Sequence, residues 1–267
     1  MPTLDAAACA ALLEPLAAIA AGAAQAILHV GNGGVRRKAD GSPVTTADET
    51  AETLIRDGLR RLAPGVPIIS EEHAEREKPN IPAGKGASYF LVDPLDGTRE
   101  FIAGSDEYTV NIAVVTDGAP TLGIIAAPAM RLMWRGIAGR GAERLEVAGD
   151  KLAAPSTIHT RPRPASDMVI MISRSHLDAR TRAYLEDYPQ AKLVPCGSSL
   201  KFCRLAEGFA DLYPRLAPTR DWDVAAGHAI LSAAGGHVVS PGRSPLVYGG
   251  PDLLIPSFIA SAEPITA

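Results

Sequence analysis

Asp93-Pro94-Leu95-Asp96-Gly97-Thr98 (D-P-L-D-G-T) follows the apolar run Tyr89-Phe90-Leu91-Val92, so two carboxylates and a Gly-Thr turn stand where a buried strand is expected to end. Asp93 and Asp96 lie three residues apart across a proline. That spacing lets both side chains converge on one point if the chain turns, and with no cation between them they would repel at close range. Hard divalent ions such as Mg²⁺ take this kind of oxygen ligand, typically one or two carboxylates completed by water and substrate phosphate. The stretch therefore reads as a metal site for phosphate chemistry.

Composition bounds the rest. The chain has 267 residues, enough for one large domain or two packed subdomains, and 46% hydrophobic with 21% charged residues is the balance of an ordinary soluble globular protein. A formal net charge of -4 leaves no basic footprint for a nucleic-acid polymer. It suits an anionic substrate only if bound cations reverse the local sign. Three cysteines, Cys9, Cys196 and Cys203, are an odd number in a long chain and favour reduced thiols over a disulfide framework. The Ala-rich N-terminus has no Lys or Arg between Met1 and Ala8 and is interrupted by Asp5, Glu14, Pro15, Gln25 and His29. It is expected to be a buried or half-buried helix, with no signal peptide or transmembrane segment.

Leu12 to Val30 reads as that helix, with Pro15 in its first turn and Gly31 to Gly34 stopping it. Arg36-Arg37-Lys38 reads as solvated surface. A turn-rich loop from Asp40 to Asp48 leads into a helix with apolar residues at Ala51, Leu54, Ile55 and Leu62, where Thr45 or Thr46 is a natural N-cap and Asp48 and Glu49 complement the dipole. Val66 to Ser70 is a short strand that also ends in acids, Glu71 and Glu72. Tyr108 to Thr116, an Asp117-Gly118 hairpin, Thr121 to Ala126 and Leu132 to Ile137 follow as strands. Helices packed on a largely antiparallel sheet are therefore expected over the first 150 residues. Ala154 to Ser166, with Pro155, Pro162 and Pro164, reads as a linker between subdomains 1-153 and 154-267.

The second half opens on the strand Met168 to Ile172, followed by Ser173-Arg174-Ser175-His176. His176 is left outside the chemistry, because a lone His after a strand is more often a capping or surface residue. Lys192 to Pro195 is a strand, and Gly197-Ser198-Ser199 opens the helix Leu200 to Glu207 with either an anion site or a simple Ser cap. After the strand ending at Arg215, Asp221-Trp222-Asp223 leads into a helix from Val224 to Ala234, with Asp223 positioned as an N-cap or as a ligand. Ala225, Ala226, Ala229 and Ala233 imply very close packing of that helix. His237 to Ser240 and Phe258 to Ser261 are the last strands.

Four separated motifs in order, V-T-T-A-D ending at Asp48, I-S-E-E at Glu71, D-P-L-D-G-T at Asp93 to Thr98 and W-D-V-A-A-G at Asp223, resemble the inositol monophosphatase superfamily of Mg²⁺-dependent, lithium-sensitive phosphatases. Within it the chain is most similar to the bacterial 3'(2'),5'-bisphosphate nucleotidases of the CysQ type. The marks are R-E-F at Arg99 to Phe101, S-R-S-H at Ser173 to His176, G-S-S-L-K-F-C at Gly197 to Cys203, L-Y-P-R ending at Arg215 and W-D-V-A-A-G-H ending at His228. Arg99 stands where many similar proteins have Lys.

The resemblance implies an α+β fold, a layered αβαβα sandwich. It also implies a cytoplasmic hydrolase of sulfur metabolism that removes the 3'-phosphate of adenosine 3',5'-bisphosphate, leaving AMP. By the family pattern Glu71, Asp93 and the Leu95 carbonyl hold one Mg²⁺, and Asp93, Asp96 and Asp223 hold a second, a third being allowed. Thr98, paired with Asp48, orients and helps deprotonate the attacking water, with Glu71 assisting. Glu71, Leu95, Asp96, Asp223 and the amides of Gly97 and Thr98 line the phosphate, and Ser198, Lys201 and Arg215 contact the nucleotide. An inositol or other sugar phosphatase with the same metals is the rival within the class. A catalytically silent protein that binds metal and nucleotide is the rival from another class. Monomer or homodimer, and peripheral placement at the cytoplasmic face of the inner membrane, stay open.

Overall fold

Asp5, read above as an interruption, starts the first helix. In the computed structural model, which describes residues 3–38, 41–74, 79–82, 84–149 and 151–265, its carboxylate accepts the amides of Ala7 and Ala8 at 3.0 and 2.8 Å. Helix α1 therefore runs Ala6–Val30, and Pro15 lies well inside it, not in its first turn. The carbonyl that Pro15 leaves without a helical donor belongs to Ala11, an exposed residue open to solvent. By length and composition α1 could cross a membrane, yet Leu16, Ala17, Ala20, Ala23 and Ile27 are fully buried in the core. Met1 and Asp40 lie outside the described residues.

Strands β1 (Arg36–Arg37) and β2 (Pro43–Val44) form a small ribbon before α2 (Thr46–Leu62). Thr45 caps α2 with Asp48 completing the capping box. Ala51 and Ile55 point into the core, but Leu54 is exposed, because the buried stripe runs through Asp48, Ala51, Glu52, Ile55 and Leu59. Strand β3 (Ile68–Ser70) gives way at once to α3 (Glu71–Ala74). Strand β4 (Ser88–Asp96) does not end at Val92: it continues through Asp93 and Pro94, and its register on β5 (Thr109–Thr116) shifts between Asp93 and Asp96. The bulge absorbs the proline, which has no N–H for the ladder.

α4 (Thr98–Ile102), β6 (Ala119–Ala127), β7 (Leu132–Ile137), β8 (Gly141–Ala148), β9 (Lys151–Leu152) and β10 (Ser156–Ile158) complete the first half. The sheet order is β10-β8-β7-β6-β5-β4-β3 with β9 beside β8, antiparallel throughout except for the β3–β4 pair. β10 falls within the stretch read as a linker; it pairs with β8 at the sheet edge.

The second sheet has the order β12-β11-β13-β17-β15, from β11 (Val169–Ser173), β12 (Lys192–Cys196), β13 (Leu212–Arg215), β15 (His237–Val239) and β17 (Phe258–Ser261). β14 (Thr219–Arg220) and β16 (Leu254–Ile255) make a separate ribbon. α5 (Ala179–Leu185) covers the outer face, with Leu185 packed on Ile170, Leu212 and Ile259. α6 (Leu200–Ala206) and α7 (Asp221–Ala233) fill the space between the sheets, where Phe202 stacks on Phe258 at 5.4 Å and Trp134, Ala226 and Ile230 are buried together.

The layers are thus α1 and α2, the first sheet, α6 and α7, the second sheet and α5, an α+β αβαβα sandwich. The alanines of α7 do pack closely. A Cβ on Gly123 of β6 would stand 2.2 Å from the Ala226 carbonyl oxygen, so the helix backbone rides directly on the strand.

Candidate active site

The acids singled out in the sequence gather at one region by different routes, and Glu71, Asp96 and Asp223 line its cavity. The β4 bulge buries Asp93 completely, at 1% exposure, where its Oδ1 accepts the Leu95 amide at 3.0 Å. α7 begins at Asp221, three residues after Pro218, so Asp223 is its third residue and not its N-cap; its carboxylate accepts the Arg220 amide at 3.2 Å and the Thr219 hydroxyl. Asp96 closes the group. Oxygen atoms of Asp93, Asp96 and Asp223 all lie within 4.8 Å of one another.

Burial pushes the Asp93 carboxyl well above its ordinary pKa, and Glu71, Asp96 and Asp223 push it further. Asp96 is raised to about 6, first by burial and then by Asp223. Converging acids that resist ionisation without a counter-charge are what a hard cation relieves, so the donor set fits a divalent metal.

Glu71 stands outside that trio. Its Oε1 is held at 2.8 Å by Lys38, which also reaches Glu72 at 2.7 Å, and burial raises the Glu71 pKa to about 8 despite the ammonium. Lys38 was read as part of a solvated cluster; its side chain is 8% exposed, while Arg36 and Arg37 do face solvent. Asp48 serves two partners. Oδ2 accepts the Thr45 amide and hydroxyl at 2.8 and 2.5 Å, and Oδ1 faces the Thr98 hydroxyl at 3.2 Å. Thr98 Oγ1 also lies 3.1 Å from the Leu95 carbonyl, so its single proton has two acceptors.

Gly97, at φ +91°, turns the chain from β4 into α4, and a Cβ there would stand 3.0 Å from the Glu107 carbonyl. Across the cavity Ser198, at φ +55°, donates to Asp96 Oδ2 at 2.8 Å, and the Ser199 amide donates to the same oxygen at 2.7 Å. The anion that meets the Gly-Ser-Ser turn is therefore the protein's own carboxylate. Lys201 is buried, donating to the Cys196 and Ser198 carbonyls at 3.0 and 2.5 Å and sitting 5.1 Å over the Tyr213 ring. Among the described residues, nothing accepts from the buried Nε of Arg215. These groups line a cavity of about 280 Å³ together with Arg99, His176, Arg220 and Trp222.

Sequence reading gave no part to Thr109 and Asn111, took Lys38 for solvated surface and left His176 outside the chemistry. His176 Nε2 lies 3.3 Å from Arg99 Nη1 at the cavity wall. Thr109 and Asn111 hold Ser199 Oγ at 2.8 and 2.7 Å, and a signal existed for Asn111: an amide inside an apolar alternating strand. Nothing in spacing marks Lys38, whose partners lie 33 and 34 residues away.

An inositol monophosphatase family model matches residues 3–266. The chain belongs to that family. Among family members, a 3'(2'),5'-bisphosphate nucleotidase CysQ of Shigella flexneri is 44% identical over 242 residues, covering 89% of this chain and 94% of the relative. The enzyme of the same name from Escherichia coli K12 is 43% identical over the same length and coverage. A crystal structure of CysQ from Bacteroides thetaiotaomicron superposes with a TM-score of 0.77 at 35% identity, covering 94% of this chain and 98% of that one. Inositol monophosphatase from Anabaena, at 21% identity and a TM-score of 0.74, shares the family fold over 95% and 91% of the two chains. The family is metal-dependent, and in this member Asp96 and Asp223 line the cavity with Asp93 buried beside them.

Proposed function

We propose that this member of the family is a Mg²⁺-dependent 3'(2'),5'-bisphosphate nucleotidase that hydrolyses the 3'-phosphate of adenosine 3',5'-bisphosphate to AMP and phosphate. One observation carries the reading: Asp96 and Asp223, which converge with the buried Asp93, line a cavity together with the cations Arg99, Lys201, Arg215 and Arg220. Acids in that geometry suit metals and the phosphate being cleaved, and cations suit a second phosphate that is kept. The relatives at 43% and 44% identity carry the same activity in their names.

Glu71, Asp93 and the Leu95 carbonyl would hold one Mg²⁺, and Asp93, Asp96 and Asp223 a second. The bound metal supplies charge for the equatorial phosphate oxygens and acidifies water. Lys38, which donates to Glu71 at 2.8 Å, would hold that acid charged beside the metal. Thr98 and Asp48 form a proton path: the Thr98 hydroxyl takes a proton from the attacking water while passing its own to Asp48 Oδ1, 3.2 Å away. Burial raises the Asp48 pKa, which suits it to receive that proton. The Gly97 and Thr98 amides at the start of α4 cradle the phosphate oxygens.

Arg215, whose buried Nε has no acceptor among the described residues, is the group best placed to take the 5'-phosphate. Lys201 adds charge from behind the loop and, with Ser198, fixes the loop's shape against the nucleotide. In this reading residues 1-153 hold most of the metal ligands and residues 154-267 read the nucleotide, in a cytoplasmic protein, monomeric or homodimeric. A substrate panel tests it: adenosine 3',5'-bisphosphate should be turned over fastest, and faster release of phosphate from inositol 1-phosphate overturns it.

A further inference from the structure

Glu107 lies in the connection between α4 and β5, outside the cavity wall, and the proposed activity gives it no part. Its carboxylate nevertheless makes three short bonds to the far half of the molecule. Oε2 accepts Arg174 Nε and the Gly197 amide, each at 2.7 Å, and Oε1 accepts Arg174 Nη2 at 2.8 Å. Arg174 also donates through Nη2 to the Pro195 carbonyl at 3.1 Å and through its amide to the Cys196 carbonyl at 3.2 Å. All of these bonds converge on the residues that lead into Gly197-Ser198-Ser199.

The Glu107 backbone is wedged as tightly. Its carbonyl oxygen would stand 3.0 Å from a Cβ on Gly97 and 2.9 Å from a Cβ on Gly197, so the two loops touch through this residue, and neither accepts a side chain there. Adjacent residues repeat the arrangement: Ser175 donates to Glu100 at 2.5 Å and Arg99 meets His176 at 3.3 Å. One residue beyond Gly197, Ser198 and Ser199 bind Asp96.

The plain alternative is a surface ion pair. With side-chain exposures of 20% and 46%, Glu107 and Arg174 would contribute little to stability as such a pair. A bidentate fork that also captures a backbone amide at an active-site loop specifies position instead.

We propose that Glu107 is a positioning residue: with Arg174 it latches the 197–199 loop onto the metal-binding loop, aligning Ser198 and Ser199 on Asp96 and thereby setting the affinity for the nucleotide. This rests on the phosphatase reading above. The test compares Glu107→Ala, Glu107→Gln and Arg174→Ala by steady-state kinetics on the phosphomonoester that the unmutated protein turns over fastest. AMP binding by calorimetry with Mg²⁺, hydrogen exchange across residues 196–202 and thermal melting accompany the kinetics.

For Glu107→Ala, KM and the AMP dissociation constant rise at least tenfold, kcat falls by less, and exchange at 196–202 accelerates while the melting temperature moves by a few degrees. Arg174→Ala gives a smaller effect, since the bond to the Gly197 amide survives, and Glu107→Gln falls between. KM and AMP affinity within twofold of the unmutated protein, with exchange unchanged, overturns the latch. So does a loss confined to kcat and melting temperature. If the phosphatase reading itself fails, the unmutated protein releases no phosphate from any phosphomonoester, and loop exchange still decides whether Glu107 holds the loop.

Discussion

Asp96 answers to two halves of the chain. It belongs to the acid trio with Asp93 and Asp223, and it is also the acceptor on which Ser198 and the Ser199 amide dock. Removing its carboxylate deletes a repelled buried acid as well as an anchor, so Asp96→Ala should remain folded, with a cooperative melt. Its Mg²⁺-dependent phosphate release should fall by at least about 10³-fold, the scale of several kcal/mol of lost charge stabilisation. Unchanged release would remove the two-metal proposal. Asp48 shows how two readings of one residue can hold together. It is the third residue of α2, where its sequence position placed it to complement the helix dipole and where it completes a capping box, and its second oxygen faces Thr98, the pairing that the family resemblance implied.

At the scale of elements, α7 sets where Asp223 stands, and two features of it can be tested. The first is its seat on β6: Gly123→Ala forces a Cβ against the Ala226 carbonyl, so the helix must shift. A loss of about 1–3 kcal/mol in urea unfolding is expected from overpacking. Activity should fall with it, because Asp223 moves too; full stability would contradict the close approach.

The second is His228, buried on α7 with Nδ1 3.0 Å from the Tyr248 hydroxyl. Burial lowers its pKa to about 4. Between the unfolded value near 6.5 and about 4 the unfolded chain binds more protons, so stability is present above that window and is lost as pH falls through it. Unfolding followed from pH 6.5 to pH 4 should show up to about 3 kcal/mol of this loss in the natural protein and markedly less in His228→Gln. Equal slopes would show that His228 is not the titrating group.

Strands β5, β6 and β7 and helix α2 were legible because their apolar residues keep a clean period. β8 and α5 were not: Glu143, Arg144 and Glu146 hide the buried Ala142, Leu145 and Val147, and α5 buries only Thr181 and Leu185. The start of α1 was missed because Asp5 reads as a break until its cap bonds are seen, and the continuation of β4 because Pro94 reads as a stop.

For the whole molecule, the five layers bring a strand bulge, the start of α3, the N-terminus of α7 and the 197–199 loop to one cavity. The acids were readable as local clusters at strand ends, and family resemblance joined them. Sequence could not show which cations are already committed: Lys38 to Glu71 and Glu72, Lys201 to two backbone carbonyls, while the buried Nε of Arg215 has no acceptor among the described residues. Those differences come from long-range packing, and under the proposed function they favour Arg215 over Lys201 for the retained phosphate. A crystal structure of the protein soaked with Mg²⁺ and AMP tests the account most directly. The account predicts Mg²⁺ between Asp93, Asp96 and Asp223, the ribose 3'-hydroxyl facing it and the 5'-phosphate on Arg215; AMP bound elsewhere, or the acid trio without metal at saturating Mg²⁺, would contradict it.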